Sequence, residues 1–208
     1  MTESRVTDGM RTVIALIVGL TLGGLGRFCD DHAKLTLEFL NSGVMIYVAG
    51  ALSFGLWSKR RSAACASAFA FLMASVIGYY GVFRYGPGRS DGFWPPIGTM
   101  AIWVLAALFV GPALGWIGSL AHRTPPRLAA ALWALPSAFL LSEALIWAHL
   151  YPVSAMLEIA LALAVLIVVL LLSRARPTHL LVGLATGTAL SLVVIVGAVA
   201  VVRLLAPA

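Results

Sequence analysis

Apolar residues run along this chain in long stretches, rather than in the strict alternation of a half-buried strand or the narrow stripe of a soluble amphipathic helix. Seven stretches stand out, at about 11 to 28, 43 to 58, 62 to 83, 96 to 120, 127 to 150, 153 to 173 and 179 to 204, separated by charges or by Pro/Gly clusters. About 20 apolar residues cross a bilayer as a helix, and every stretch except the second reaches that length. The second reads as about 15 residues from Gly43 and reaches a spanning length if its helix begins near Leu35, which would draw Glu38 to the membrane edge. The pattern predicts an all-α integral membrane protein, a bundle of seven transmembrane helices (six if the second falls short), in a single polytopic domain over residues 1–208. Glu3, Arg5, Asp8 and Arg11 precede the first stretch without the small-residue cleavage pattern of a signal peptide, so that stretch is expected to be a membrane helix.

Composition agrees. The chain is 61% hydrophobic and 11% charged, against roughly 45 to 50% and about 25% for a soluble domain, which excludes a soluble globule. The net charge of +6 comes from basic residues set singly or as the trio Lys59, Arg60 and Arg61. No basic stripe results, and nucleic acid is not an expected partner. With seven crossings, one side carries Arg5, Arg11, Lys59, Arg60, Arg61, Arg123, Arg127, Arg174 and Arg176, and the other Arg27, Lys34, Arg84, Arg89 and Arg203. The larger set belongs inside, so the N-terminus is expected in the cytoplasm and the C-terminus outside, in a bacterial plasma membrane.

Small residues spaced by four let membrane helices approach closely. Ala15, Gly19 and Gly23 form such a ridge on the first helix, Gly111 and Gly115 on the fourth, and Gly183 and Gly187 on the seventh. These ridges read as internal packing, with the first also long enough to dock a second membrane subunit. Pro112 and Pro136 fall mid-helix, where each removes a backbone hydrogen bond and favours a kink. Cys29 and Cys65 fall at opposite ends of their helices, too far apart for a disulfide.

The acids are unevenly placed. Apart from Glu3 and Asp8, all of them (Asp30, Asp31, Glu38, Asp91, Glu143 and Glu158) fall in the outer half. A carboxylate at membrane depth costs at least about 2.5 kcal/mol on insertion scales, so an intramembrane acid is a functional candidate by default. Glu143 is the strongest and Glu158 the second. Aromatics crowd the same half: Tyr79, Tyr80, Phe83 and Tyr85, then Phe93, Trp94 and Trp103, then Trp147 and Tyr151. An interfacial belt of Trp and Tyr accounts for part of this, but not for Trp147 on the same helical face as Glu143, nor for Trp103 about two turns below the surface. The loop from Phe83 to Pro96, with Arg84, Arg89 and Asp91, is either an interfacial loop or a lid over an outward-facing pocket. Its length exceeds what packing needs.

Asp30, Asp31 and His32 read as a solvated turn, with a hard-cation site the alternative. A DDxxD diphosphate motif fails because Ala33 and Lys34 follow. The four histidines lie near helix ends and do not suggest a stacked haem pair. HExxH, GxSxG, CxxC, Walker and dinucleotide motifs are absent from the sequence, and no metal or cofactor is expected.

A carboxylic acid in an apolar site facing aromatic rings can start a carbocation cyclisation. The acid protonates an alkene or epoxide, ring faces stabilise the successive cations, and exclusion of water prevents quenching. The layout resembles the small integral-membrane terpene cyclases that act on farnesylated natural products, through the count of about seven helices in this length, Glu143 with Trp147, Glu158, and Tyr79 with Tyr80. The chain also resembles a group of small actinobacterial membrane proteins. The cyclase resemblance implies a metal-independent, proton-initiated cyclisation of a hydrophobic prenyl chain within the lipid bilayer. Glu143 and Glu158 would be the catalytic acids, and Tyr79, Tyr80, Arg84, Trp94, Trp103, Trp147, Asp30 and Asp31 would form the substrate site. Members of that family carry a second acid near the last helix, which here has none. The rival expectation is the substrate-capturing subunit of a vitamin or metabolite importer, docked to a membrane partner through Ala15, Gly19 and Gly23. A third is a scaffold in which Glu143 only packs against its neighbours.

Overall fold

The computed structural model describes the backbone of residues 2–32, 44–85, 97–148, 152–173 and 177–205, and within it the side chains of 7–29, 44–81, 98–148, 152–171 and 177–193. Its elements are helices: α1 (Thr2–His32), α2 (Val44–Trp57), α3 (Arg61–Tyr85), α4 (Ile97–Leu120), α5 (Pro126–Trp147), α6 (Pro152–Ser173) and α7 (Pro177–Leu205). The seven expected stretches are thus seven helices, and no strand occurs among the described residues. The last three each open on proline, which lacks only an amide that the first turn would leave unpaired anyway. Among the described residues, five helices (α1, α3, α4, α5 and α6) are long and apolar enough to cross a membrane, and the chain is an integral membrane protein. α2, at 14 residues, rises only about 21 Å at 1.5 Å per residue; the segment from Leu35 that would lengthen it lies outside the described residues. α4 and α5 continue as helices through Pro112 and Pro136.

Size is sorted from inside to outside. Alanines at 15, 51, 64, 68, 134, 138 and 144 are fully buried, whereas Phe109, Met156, Leu171 and Val193 are at least 70% exposed. Lipid is as apolar as leucine, so burial of large side chains gives no drive here. The helices are held by close backbone approach over small residues. α2 is the hub: it packs on α3, α4 and α5, with α1 flanking α3 and with α6 and α7 flanking α5.

The tightest approach joins α1 to α3, which run side by side in the same direction. A methyl at Gly19 would collide with the carbonyl of Phe71, and one at Gly23 with the carbonyl of Ser75. Ala15 is buried in the same cluster as Phe71. This corrects the docking expectation: the ridge of Ala15, Gly19 and Gly23 is filled by α3 and is not open to a membrane partner. What α1 leaves exposed is its other face, with Val13, Ile17, Leu20 and Phe28. Gly115 likewise seats on Ala64 of α3, and Gly118 on Gly55 of α2; Gly183 of α7 rests on Ala131 of α5.

Polar contacts gather at the end of the bundle where α1 begins. Asp8 pairs with Arg11 at 3.1 Å and Arg60 at 3.7 Å. Arg11 lies over Trp57 and Arg61 over Trp116, at 5.7 and 4.9 Å from the ring centroids. At the same end, His122 Nε2 donates to the carbonyl of Leu56 at 2.7 Å, tying the α4–α5 turn to the last turn of α2. His122→Phe keeps the ring beside Trp133 but removes this donor. It is expected to cost about 1 kcal/mol, read as a lower melting temperature in detergent. Cys29 and Cys65 are free thiols.

Candidate functional site

At the opposite end, α2, α3 and α4 line a half-open cavity of about 440 Å³, within the roughly 300 to 1,000 Å³ usual for small-molecule sites. α2 contributes Val44, Tyr47 and Val48; α3 contributes Leu72, Ser75, Val76, Tyr79 and Tyr80; α4 contributes Thr99, Trp103, Ala106, Ala107 and Val110. Positions along each helix grade the walls. Tyrosines and Thr99 lie toward the end where α3 finishes and α4 starts, and aliphatic side chains line the deeper part. Ser75 is already engaged, donating to the carbonyl of Phe71 at 2.8 Å.

The tyrosine end is braced from α1. Gly19 meets Phe71 and Gly23 meets Ser75; one more step of four along both helices sets Arg27 against Tyr79. Arg27 is 6% exposed, its guanidinium donates to the Tyr79 hydroxyl at 3.4 Å, and the guanidinium carbon lies 5.6 Å from the Tyr79 ring centroid. Tyr79 in turn meets Tyr80 edge-on, with centroids 5.2 Å apart. The i, i+4 row that allows α1 and α3 to touch through glycines therefore ends on a cation that fixes a cavity wall.

Glu143 serves a different part of the fold. It is 5% exposed, and its Oε2 accepts the Met45 amide at 3.1 Å, with the Val44 amide on the same carboxyl. Amides in the first turn of a helix have no intrahelical partner, and a bilayer interior offers them no water. Glu143 therefore caps α2, and a carboxylate also suits the positive end of the helix dipole. Its placement is on the far side of α2 from the cavity: Ile46 and Ala49 face Leu140 of α5 and Ala162 of α6, while Val44, Tyr47 and Val48 face the cavity. Glu158 of α6 is 3% exposed and near enough to act electrostatically on Glu143. Its Oε2 has no hydrogen-bond partner among the described residues. An unsatisfied buried polar group costs about 1 to 3 kcal/mol, so Glu158→Met is expected to raise the melting temperature while Glu158→Lys prevents folding.

Of the residues expected at a site, Tyr79, Tyr80 and Trp103 come together in one cavity, and Glu143 and Glu158 come together behind α2. Trp147 lies near the end of α5 and is not among the cavity-lining residues. The side chains of Asp30, Asp31 and Arg84, and all of Trp94 in the 83–96 loop, lie outside the described residues. Tyr47, Thr99 and Arg27 were not expected at the site. A signal for Arg27 is present in the sequence, because 27 continues the series 15, 19, 23. Counting it only among the outer loop charges hides that it shares the packed face.

No curated protein and no solved structure matches the chain. One family model matches residues 3–206, nearly the whole length, and the chain belongs to that family, a family of unknown function (DUF6518).

Proposed function

We propose that this protein binds a lipid-soluble molecule with a prenyl-type apolar chain in the cavity between α2, α3 and α4. The observation that carries this reading is the cavity itself: a space of about 440 Å³ with mostly apolar walls and four aromatic residues, Tyr47, Tyr79, Tyr80 and Trp103. Such a ligand reaches the site by lateral partition from the bilayer. Basic residues gather where α1 begins, with Arg11, Arg60 and Arg61 in contact there. The bias toward positive charge inside supports an orientation with the N-terminus in the cytoplasm of a bacterial cell and the cavity toward the outer leaflet.

The reaction we attach to the site is metal-independent cyclisation. A proton added to an alkene or epoxide creates a cation, ring closure moves it along the chain, and loss of a proton ends the sequence, leaving an isomer of the substrate. Aromatic faces in a largely apolar cavity are suited to the cationic stages. Glu143 is committed to the α2 amides, so Glu158 is the acid of the pair with an uncommitted oxygen. Neither acid lines the cavity. A general acid must lie within hydrogen-bond reach of the atom it protonates, so ligand binding is the first reading, and cyclisation is a second that requires Glu158 to reach the bound chain past α2. The importer reading needs a free docking ridge, and the one expected on α1 is occupied by α3.

The test is incubation of the purified protein in nanodiscs with a farnesylated phenol or its terminal epoxide, followed by organic extraction. The expected result is retention of the ligand, abolished by Ala107→Phe, which fills the cavity from a residue only 2% exposed. A cyclised isomer that disappears in Glu158→Gln supports the catalytic form. Product formation unchanged in both Glu143→Gln and Glu158→Gln contradicts a role for either acid.

A further inference from the structure

Glu143 of α5 and Glu158 of α6 are both buried, at 5% and 3% exposure, but their surroundings differ. Glu143 accepts the Met45 and Val44 amides at the start of α2, the positive end of that helix, where a carboxylate is well placed. Glu158 Oε2 has no hydrogen-bond partner in the interior, and the two side chains are near enough to act on each other electrostatically. An ionised carboxyl buried without a partner is far more costly than a neutral one, and a second negative charge beside Glu143 adds repulsion to that cost.

Neither acid has an ion pair among the described residues. α6 packs on α5, meets α1 and α2 through Leu22, Ile46 and Ala49, and meets α7 through Leu180. Glu158 is the one titratable group in α6. On the described parts of the facing helices, Arg127 and His179 open α5 and α7 at the other end of the bundle, where Asp8 and Arg11 of α1 also lie paired. Tyr47 of α2 lines the cavity, Arg27 of α1 is engaged with Tyr79, and Cys29 is a free thiol. None of these cations is placed to cancel a second charge beside Glu143.

We propose that Glu143 and Glu158 form a proton-binding site inside the bundle, which holds a single proton on Glu158 while Glu143 stays ionised on the α2 amides. With the proton bound, the pair carries one charge, and the amides at the start of α2 already match it; with the proton released, it carries two. Folding therefore takes up a proton that an exposed glutamate gives up above about pH 5, so the site makes stability fall as pH rises. It lies on the far side of α2 from the cavity and does not depend on what binds there. Cyclisation would draw on the same proton, but its failure leaves the inference standing.

Infrared spectroscopy of the full-length protein in heavy water at neutral pH, in an alkyl glycoside detergent that has no carbonyl of its own, reads the proton directly. The carbonyl stretch of a neutral carboxylic acid is separate from the carboxylate bands. The expected result is an acid band in the wild type that is lost in Glu158→Gln, or in Glu158→Met should glutamine not fold, and kept in Glu143→Gln. In the same detergent the wild type is expected to lose stability relative to Glu158→Gln as pH rises from about 5, by up to about tenfold in the folding equilibrium constant per pH unit, the slope of one proton. A band kept in Glu158→Gln but lost in Glu143→Gln puts the proton on the other acid and overturns the assignment. Absence of any acid band that depends on Glu158, with no pH-dependent difference between the two proteins, overturns the site. A wild type without the band whose melting temperature rises with sodium but not with choline would instead hold a metal cation, which overturns it equally.

Discussion

Replacing Glu143 with leucine is expected to destabilise the protein by about 2 to 5 kcal/mol, whereas glutamine leaves it folded. The reason is the position of the carboxyl rather than its charge. The Met45 and Val44 amides at the start of α2 point at Glu143, and with leucine in that place they face a side chain that accepts nothing. Glutamine keeps an acceptor oxygen on a chain of the same length. α2 also carries Val44, Tyr47 and Val48 into the cavity wall, so loss of the cap reaches the cavity even though Glu143 does not line it. Thermal unfolding in detergent separates the two variants. If leucine and glutamine melt together near the wild type, Glu143 is not the cap. If glutamine melts like wild type but product formation is lost, the carboxyl has a chemical role beyond the cap.

The second large effect is expected from one methyl group. Gly23→Ala places a Cβ against the Ser75 carbonyl, a backbone atom that cannot turn aside as a side-chain tip would. α1 must then shift away from α3 or the bundle must open, at a cost of about 3 kcal/mol or more. The same shift moves Arg27 out of reach of Tyr79, so the variant is also expected to weaken ligand binding. Gly81→Ala is the control: it lies on α3, has no atom within 4 Å of the added carbon, and gains helix propensity of up to about 1 kcal/mol. Opposite shifts in melting temperature for the two glycine-to-alanine changes are the expected outcome. Equal shifts would contradict close packing of α1 on α3.

Those two residues also show what can be read from the chain without its fold. Hydropathy places the helices well, because each apolar stretch must satisfy its own backbone inside lipid and only a helix does so locally. Pro126, Pro152 and Pro177 mark helix starts for an equally local reason. Spacing finds the ridge of Ala15, Gly19 and Gly23 but does not say what fills it, since an internal helix and a separate subunit need the same small residues. The partner is α3, some 50 residues away, as the pairing of Arg27 with Tyr79 across 52 positions shows. Glu143 is harder still. An acid deep in an apolar stretch signals that something must satisfy it, but its partners are amides of a helix 98 residues earlier, and amides carry no residue-type signature. Tyr79, Tyr80 and Trp103 could be grouped from the sequence as aromatics of the outer half. Their convergence on one cavity depends on α2 being the hub between α3, α4 and α5, which no local pattern encodes.

The most direct test of the central claim is native mass spectrometry of the protein released from nanodiscs made with its host-cell lipid extract, wild type beside Ala107→Phe. The account predicts that the wild type retains one apolar small molecule whose extracted form carries a prenyl-type chain, and that the folded variant retains none. A wild type that flies without bound ligand under conditions that preserve its fold, or an identical adduct on both proteins, would contradict the cavity as the functional site.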